Sequence, residues 1–283
     1  MSAFLLATVA ACLFGGLAVA LRVVLERGGD PESSAAISAA IGLVVAAGLA
    51  AGQWPRADLA DLWPYLIAGA VAPGLSQLMF VRAIEQVGAA RTAILFGASP
   101  LLAAIPAVWL LDEPFGLVLG LGTGAIVFGC LALAWERRSA RTLTGLGIAL
   151  ALVAAALIAA RDNYARHFAV DSDVGGLAAA AVTLAAGTVV LGLAALVRRR
   201  GIPRSAASPV LFAGLLQGLA YCALLEALTR GRVTVVVPLY TTESLWAVVF
   251  AAVFLGRREA IGARVVAAAA LMVVGGALIG AAR

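Results

Sequence analysis

Apolar residues in this chain run in long blocks and do not alternate with polar ones, and short polar clusters separate one block from the next. A helix packed on one side and solvated on the other needs a polar stripe repeating at the helical period, and these blocks lack one. A run of ~20 apolar residues is instead the length of a membrane crossing. Ten such segments are predicted, at 2–22, 33–52, 63–82, 89–111, 115–135, 143–164, 174–197, 207–228, 233–255 and 260–281. The connections are short and hold most of the charges and turn residues, as in Glu26-Arg27-Gly28-Gly29-Asp30-Pro31, Asp112-Glu113-Pro114, Glu136-Arg137-Arg138, Arg198-Arg199-Arg200-Gly201 and Gly256-Arg257-Arg258-Glu259. The pattern predicts an all-α integral membrane protein of ten transmembrane helices with no soluble domain between them. Trp54, Trp63, Tyr65 and Trp135 fall near segment ends, where amphipathic rings favour the headgroup zone.

The blocks repeat. Leu6 and Leu150, Arg22 and Arg166, Gly48-Leu49-Ala50-Ala51 and Gly192-Leu193-Ala194-Ala195, Gly74-Leu75 and Gly218-Leu219, Ala83 and Ala227, and Leu111 and Leu255 all lie 144 positions apart. Residues 1–140 and 141–283 therefore read as two copies of a five-segment unit forming one transport domain. An odd number of crossings makes the second copy start from the opposite side, so the repeat is predicted to be inverted, as in many secondary transporters.

Composition agrees with the pattern. Apolar residues make up 63% of the chain and charged ones 12%, against roughly a quarter charged in soluble proteins, and the mean hydropathy is +1.05. The net charge of +5 comes from 20 arginines with no lysine, and it reads as a topology signal rather than a nucleic-acid footprint. Fourteen arginines (Arg22, Arg27, Arg82, Arg91, Arg137, Arg138, Arg141, Arg198, Arg199, Arg200, Arg204, Arg257, Arg258 and Arg264) lie in or beside the connections after odd-numbered segments, and six lie on the other face. Positive loops stay in the cytoplasm, which places both termini outside it. Cys12, Cys130 and Cys222 share no metal or redox spacing and read as packing residues. The first apolar stretch, from Ser2 to Leu21, lacks a basic start and has a counterpart in segment six, so it is read as part of the mature fold.

The run Leu75-Ser76-Gln77-Leu78-Met79-Phe80-Val81-Arg82-Ala83-Ile84-Glu85-Gln86-Val87-Gly88-Ala89-Ala90-Arg91-Thr92-Ala93-Ile94-Leu95-Phe96-Gly97-Ala98-Ser99-Pro100, followed by Leu110-Leu111-Asp112-Glu113-Pro114, resembles the signature of EamA-type members of the drug/metabolite transporter superfamily. The second half repeats it as Val235-Val236-Val237-Pro238-Leu239-Tyr240-Thr241-Thr242-Glu243-Ser244-Leu245-Trp246, then Phe254-Leu255-Gly256 and Val273-Val274-Gly275-Gly276. The resemblance covers essentially the whole chain. It implies ten helices in two inverted five-helix repeats and transport of small organic metabolites such as amino acids or amines, often as an exporter, by alternating access across a bacterial cytoplasmic (inner) membrane. It also implies termini in the cytoplasm, opposite to the arginine distribution. A proline commonly fills the middle of segments four and nine in the family. Pro100 keeps it here, but its counterpart is Ser244, preceded by Glu243.

Glu243 is the leading candidate residue. A charge at mid-membrane costs roughly 2.5 to 3.5 kcal/mol on insertion scales, so the side chain should face a cavity or a partner. Tyr240 and Trp246, three positions to either side, are expected on the same helical face. A carboxylate between aromatic rings suits a cationic or zwitterionic amine, and protonation would let Glu243 serve as a coupling site. The structural alternative is a protonated or arginine-paired glutamate. In segment six the largely apolar stretch ends at Ala160, too short to cross, which draws Arg161, Asp162, Asn163 and Tyr164 into the membrane or a wet vestibule. The aligned residues of segment one are Leu17, Ala18, Val19 and Ala20, so the polarity belongs to one repeat only. Asp162 is a second candidate for coupling, and the alternative for the Arg161/Asp162 pair is snorkelling to the interface.

Gln77, Gln217 and Tyr221 are candidates for a polar lining, with Ser99 aligned to Glu243. For Arg82 and Glu226, end-of-helix roles with local partners Glu85 and Arg230 are favoured. Pro100, Pro106 and Pro238 mark segments four and nine as the helices expected to break or bend. Gly120-Gly124 and Gly275-Gly276 suit close helix packing, and His167 reads as an interfacial surface residue.

A small-molecule substrate and the lipid bilayer are the implied partners, with no cofactor, no metal and no nucleic acid, and the chain is expected to act as a monomer or homodimer. An ATP-driven pump needs a P-loop lysine, and the chain has none. The other classes are an intramembrane enzyme, for which Asp171-Ser172-Asp173 is the one acid pair of the right kind, and a non-transporting receptor or scaffold.

Overall fold

The computed structural model describes residues 2–52, 61–87, 92, 95–96, 98–135, 144–170, 172–198, 201–255 and 263–281. These residues form helices and connections. The helices are α1 (Ala3–Glu26), α2 (Pro31–Leu49), α3 (Trp63–Gly69), α4 (Ser76–Val87), α5 (Ser99–Leu110), α6 (Leu117–Trp135), α7 (Gly145–Val170), α8 (Gly176–Arg198), α9 (Ala207–Arg230), α10 (Val233–Tyr240), α11 (Glu243–Leu255) and α12 (Ala263–Ala281).

Local chemistry sets the boundaries. Gly28 takes the left-handed conformation (φ 86°) that ends α1. Two residues on, Asp30 accepts from Ser33 N–H at 3.0 Å while Pro31 opens α2, an N-cap followed by a proline in the first turn. Two helices are interrupted. Between α3 and α4 the backbone passes through six residues of wider helical turn, in which Ala72 is extended (φ −148°, ψ 123°) ahead of Pro73. Gly187 of α8 admits the break, since a Cβ there would stand 2.5 Å from Pro73 Cγ. Between α10 and α11, Thr241 and Thr242 form a turn in which the two hydroxyls donate to the carbonyls of Pro238 (2.8 Å) and Leu239 (2.7 Å).

The packing obeys the 144-residue relation. α1 lies along α9 as α7 lies along α4, and α1 packs on α11 as α7 packs on α5. The contact of α2 with α9 is matched by that of α8 with α3, while α2–α8 and α6–α12 are pairs that exchange into themselves. Exchanging the halves thus maps these contacts onto one another, the arrangement of a two-fold pseudo-repeat.

Among the described residues seven helical stretches are long and apolar enough to cross a membrane, with shorter apolar helices at Ser99–Leu110, Leu117–Ala132 and Ala267–Ile279. Val197, Trp109, Leu117 and Phe254 project from the outer surface, where an apolar solvent makes their exposure favourable. The interior is rich in fully buried alanines, such as Ala7, Ala10, Ala39, Ala103, Ala154 and Ala213, whose small side chains let helices approach closely.

Two expectations are corrected. Tyr65 is fully buried rather than placed in the headgroup zone, whereas Trp63 is half exposed, and Trp54 and the Trp135 side chain lie outside the described residues. The glycines at the α6–α12 contact are Gly122, Gly129 and Gly275. A Cβ on Gly122 would meet Gly275 O at 2.8 Å, but one on Gly124 would meet nothing within 4 Å, and Gly120 approaches only Phe115. Arg82 meets Glu32 at the start of α2 (Nε to Oε1, 3.4 Å), and the side chain of its expected local partner Glu85 lies outside the described residues. The local pair of Arg230 with Glu226 is present as expected.

Candidate functional site

The polar residues of segment six are on α7, which continues past them to Val170. Arg161, Asp162 and Asn163 do not reach the surface, while Tyr164 is half-buried. Arg161 is 3% exposed and Asp162 fully buried, so both charges sit in the protein interior. Their own positions on successive residues bring Arg161 Nε to 2.8 Å from Asp162 Oδ1. The other carboxylate oxygen, Oδ2, accepts from Tyr240 O–H at 2.7 Å, which ties α7 to the last residue of α10. The guanidinium carbon lies 5.5 Å from the Tyr221 ring centroid, a cation–π contact with α9. Phe14 of α1 stands edge-on to Tyr221 (5.5 Å) and tilted to Tyr240 (6.2 Å). Asn163, one position on, donates to Ala103 O of α5 (3.0 Å) and to Ala159 O (2.9 Å).

This cluster is incompletely paired. Arg161 Nε is engaged by the ion pair with Asp162, but Arg161 Nη1 has no hydrogen-bond acceptor, and Asn163 Oδ1 has no donor, among the described residues. In a low-dielectric interior an unmatched donor is costly. A guanidinium presenting spare donors is a receptor for a carboxylate or phosphate, to which it can make paired, charge-assisted bonds.

Glu243 begins α11 immediately after the Thr241–Thr242 turn. It is half-buried, and its carboxylate has no hydrogen-bond or ion-pair partner among the described residues. It lies close enough to Tyr221, Tyr240 and Cys130 for its charge to act on all three. The expected shared helical face is modified by the break. Tyr240 is buried at the end of α10 and turned to Asp162, while Trp246 lies in α11 beside Phe250, 6.0 Å between ring centroids. Gly15 of α1 lets α11 approach, since a Cβ there would come within 2.8 Å of Glu243 O.

Of the other candidates, Gln217 is buried on α9, one turn before Tyr221, and its Oε1 has no partner among the described residues. Ser99 is buried at the start of α5. Gln77 is half-buried on α4, and no hydrogen bond among the described residues ties it to the cluster. Pro100 sits in the first turn of α5 and not in mid-helix, Pro106 lies within α5, and Pro238 lies in α10 ahead of the observed interruption. His167 is exposed, against Phe168. Asp171 lies outside the described residues.

Several contributors escaped the sequence reading. Phe14 carries no polar signal, and Thr241 and Thr242 become informative only once the helix is seen to break there. Cys130 Sγ lies 3.5 Å from Ser244 Oγ and 3.7 Å from Thr241 O, so α6 reaches that break. Among the described residues no three His, Cys, Asp or Glu side chains gather as a metal site.

The profile of the EamA-like transporter family matches residues 1–135 and matches again over residues 145–281. The chain belongs to the EamA-like transporter family. EamA proteins are transporters, and the double match gives the two-fold packing its family context. A solved structure described as "Crystal structure of protein" superposes with a TM-score of 0.82 at 19% identity, over 98% of this chain and 95% of that one. At that identity the likeness is one of fold. No match is found among curated proteins. In this EamA chain the α7–α9–α10 cluster and Glu243 make up the candidate site.

Proposed function

We propose that the chain is a secondary transporter that moves small organic metabolites carrying an amine and a carboxylate, amino acids foremost, across the bacterial cytoplasmic membrane by alternating access. In this reading residues 1–140 and 141–283 are inverted five-helix repeats whose ten segments all cross, and the substrate lies between the α7–α9–α10 cluster and the start of α11. The observation that carries it is the buried Arg161, whose Nη1 lacks an acceptor among the described residues, together with Glu243 at the head of α11, whose carboxylate has no hydrogen-bond or ion-pair partner among them. Arg161 would take the substrate carboxylate, Glu243 the amine, and Tyr221, Tyr240 and Phe14 the intervening apolar surface. Glu243 and Asp162 are the groups able to hold a coupling proton.

The test is a thermal-shift screen of purified protein with amino acids, their decarboxylated amines and their deaminated acids. A ligand that binds the folded state raises Tm by mass action. The expectation is stabilisation by zwitterions that fails when either charged group is removed. Stabilisation by amines alone would move the site to Glu243 and take Arg161 out of it.

A further inference from the structure

At one end of the bundle Glu113 crosses between halves of the chain. Its carboxylate is 7% exposed and accepts from Val233 N–H (2.8 Å), Thr234 N–H (2.9 Å) and Thr234 Oγ1–H (2.8 Å). The first amides of a helix have no intrahelical acceptor, so these bonds are what holds the start of α10. Nearby, Arg166 Nη1 donates to Leu228 O (2.9 Å) and Thr229 O (3.0 Å) and fastens the end of α7 to the end of α9. A cavity of about 430 Å³ opens at this point, lined by Asp112, Glu113, Arg166, His167, Val170 and Arg232 among others.

The element held there is unusual. α10 has eight residues, contains Pro238, and is cut from α11 by the Thr241–Thr242 turn. One end is fixed by Glu113 and the other by the Tyr240–Asp162 hydrogen bond. We infer that α10 is the gate of this face, with Glu113 as its latch and the Tyr240–Asp162 bond as the link through which occupation of the central cluster releases it. This rests on the transport reading above for its purpose, but not for its detection. When a ligand draws Arg161 or Asp162 away, Tyr240 loses its partner and α10 is retained by the Glu113 end alone. Opening the latch then joins the cavity to the cluster along α7.

Amide hydrogen exchange reads the latch directly, because Val235 and Val236 N–H donate to Arg232 O while Val233 and Thr234 N–H depend on Glu113. The protein is reconstituted in lipid nanodiscs without added ligand, and peptides spanning 231–237 are followed. The gate predicts that the Val233 and Thr234 amides exchange at least about tenfold faster than those of Leu224 and Leu225 in the α9 core, as expected for local opening. Glu113→Gln, which presents one acceptor in place of two, should speed them further. Exchange as slow as that of the α9 core in the wild-type protein overturns the proposal.

A second measurement uses Glu113→Cys with Thr234→Cys after Cys12, Cys130 and Cys222 are replaced by alanine, joined by a reducible bis-thiol reagent. Efflux of a radiolabelled mixture of the standard amino acids from proteoliposomes should stop on cross-linking and return on reduction. Flux unchanged by the cross-link also overturns the gate. A protein that moves none of these solutes before cross-linking counts against the transport reading, and the exchange comparison then decides the latch alone.

Discussion

The buried charges of α7 are held by a chain of specific contacts, and each contact has a separable consequence. Tyr240→Phe deletes the hydroxyl that donates to Asp162 and leaves the ring against Phe14. A hydrogen bond to a charged group contributes about 1.5 to 3 kcal/mol. Transport flux in proteoliposomes should therefore fall roughly ten- to hundredfold, while the far-ultraviolet circular dichroism stays that of the wild type. A flux within twofold of wild type would make the contact incidental. Glu243→Gln probes the other pole. The amide keeps the shape but can neither pair with an ammonium group nor carry a coupling proton at neutral pH, and since the carboxylate has no partner among the described residues its removal should not unfold the protein. Expression and Tm should be retained and flux lost. Wild-type flux in Glu243→Gln would remove this residue from the mechanism.

Helix contacts are decided by which face each small residue occupies, something a spacing rule does not contain. Gly122 and Gly275 bring α6 and α12 into backbone contact, whereas Gly124, two residues on, faces open space. Gly122→Ala should lower the unfolding midpoint in detergent, an overpacking cost of about 1 to 3 kcal/mol. Gly124→Ala should not. Equal midpoints for the two variants would show that α12 can shift to accommodate a methyl group. The same distinction explains what was legible in the sequence. The all-helical apolar character and the 144-residue relation follow from apolar length and identity at fixed offset, both one-dimensional properties. Arg161, Asp162 and Glu243 stood out because charge is rare in apolar runs. Phe14, Thr241 and Thr242 did not, since an apolar ring or a threonine in such a run is unremarkable until three helices converge on it. The break at Ala72–Pro73 was missed for a related reason. Pro73 lies in an otherwise apolar segment, and the space for the break is supplied by Gly187 on a different helix.

At the scale of the whole molecule, the ends of α5, α7 and α9 and the starts of α6 and α10 gather around the Glu113 cavity. In the proposed ten-crossing topology these ends share one face and the arginine-rich connections share the other. Orientation therefore settles which side α10 gates. The arginine distribution predicts that the arginine-rich face is cytoplasmic and the Glu113 face outside. Gly116 and Gly201 are suited to test it, since a Cβ at either would meet nothing within 4 Å and both lie in connections. With the three native cysteines replaced, Gly116→Cys should react with a membrane-impermeant maleimide added to intact cells, and Gly201→Cys only in inside-out vesicles. The reverse pattern would turn the molecule over and make the latch cytoplasmic. Between these positions lie α6, α7 and α8, and three crossings require opposite sides. Labelling of both cysteines from the same side would reject the ten-crossing topology itself, and with it the inverted repeat on which alternating access depends.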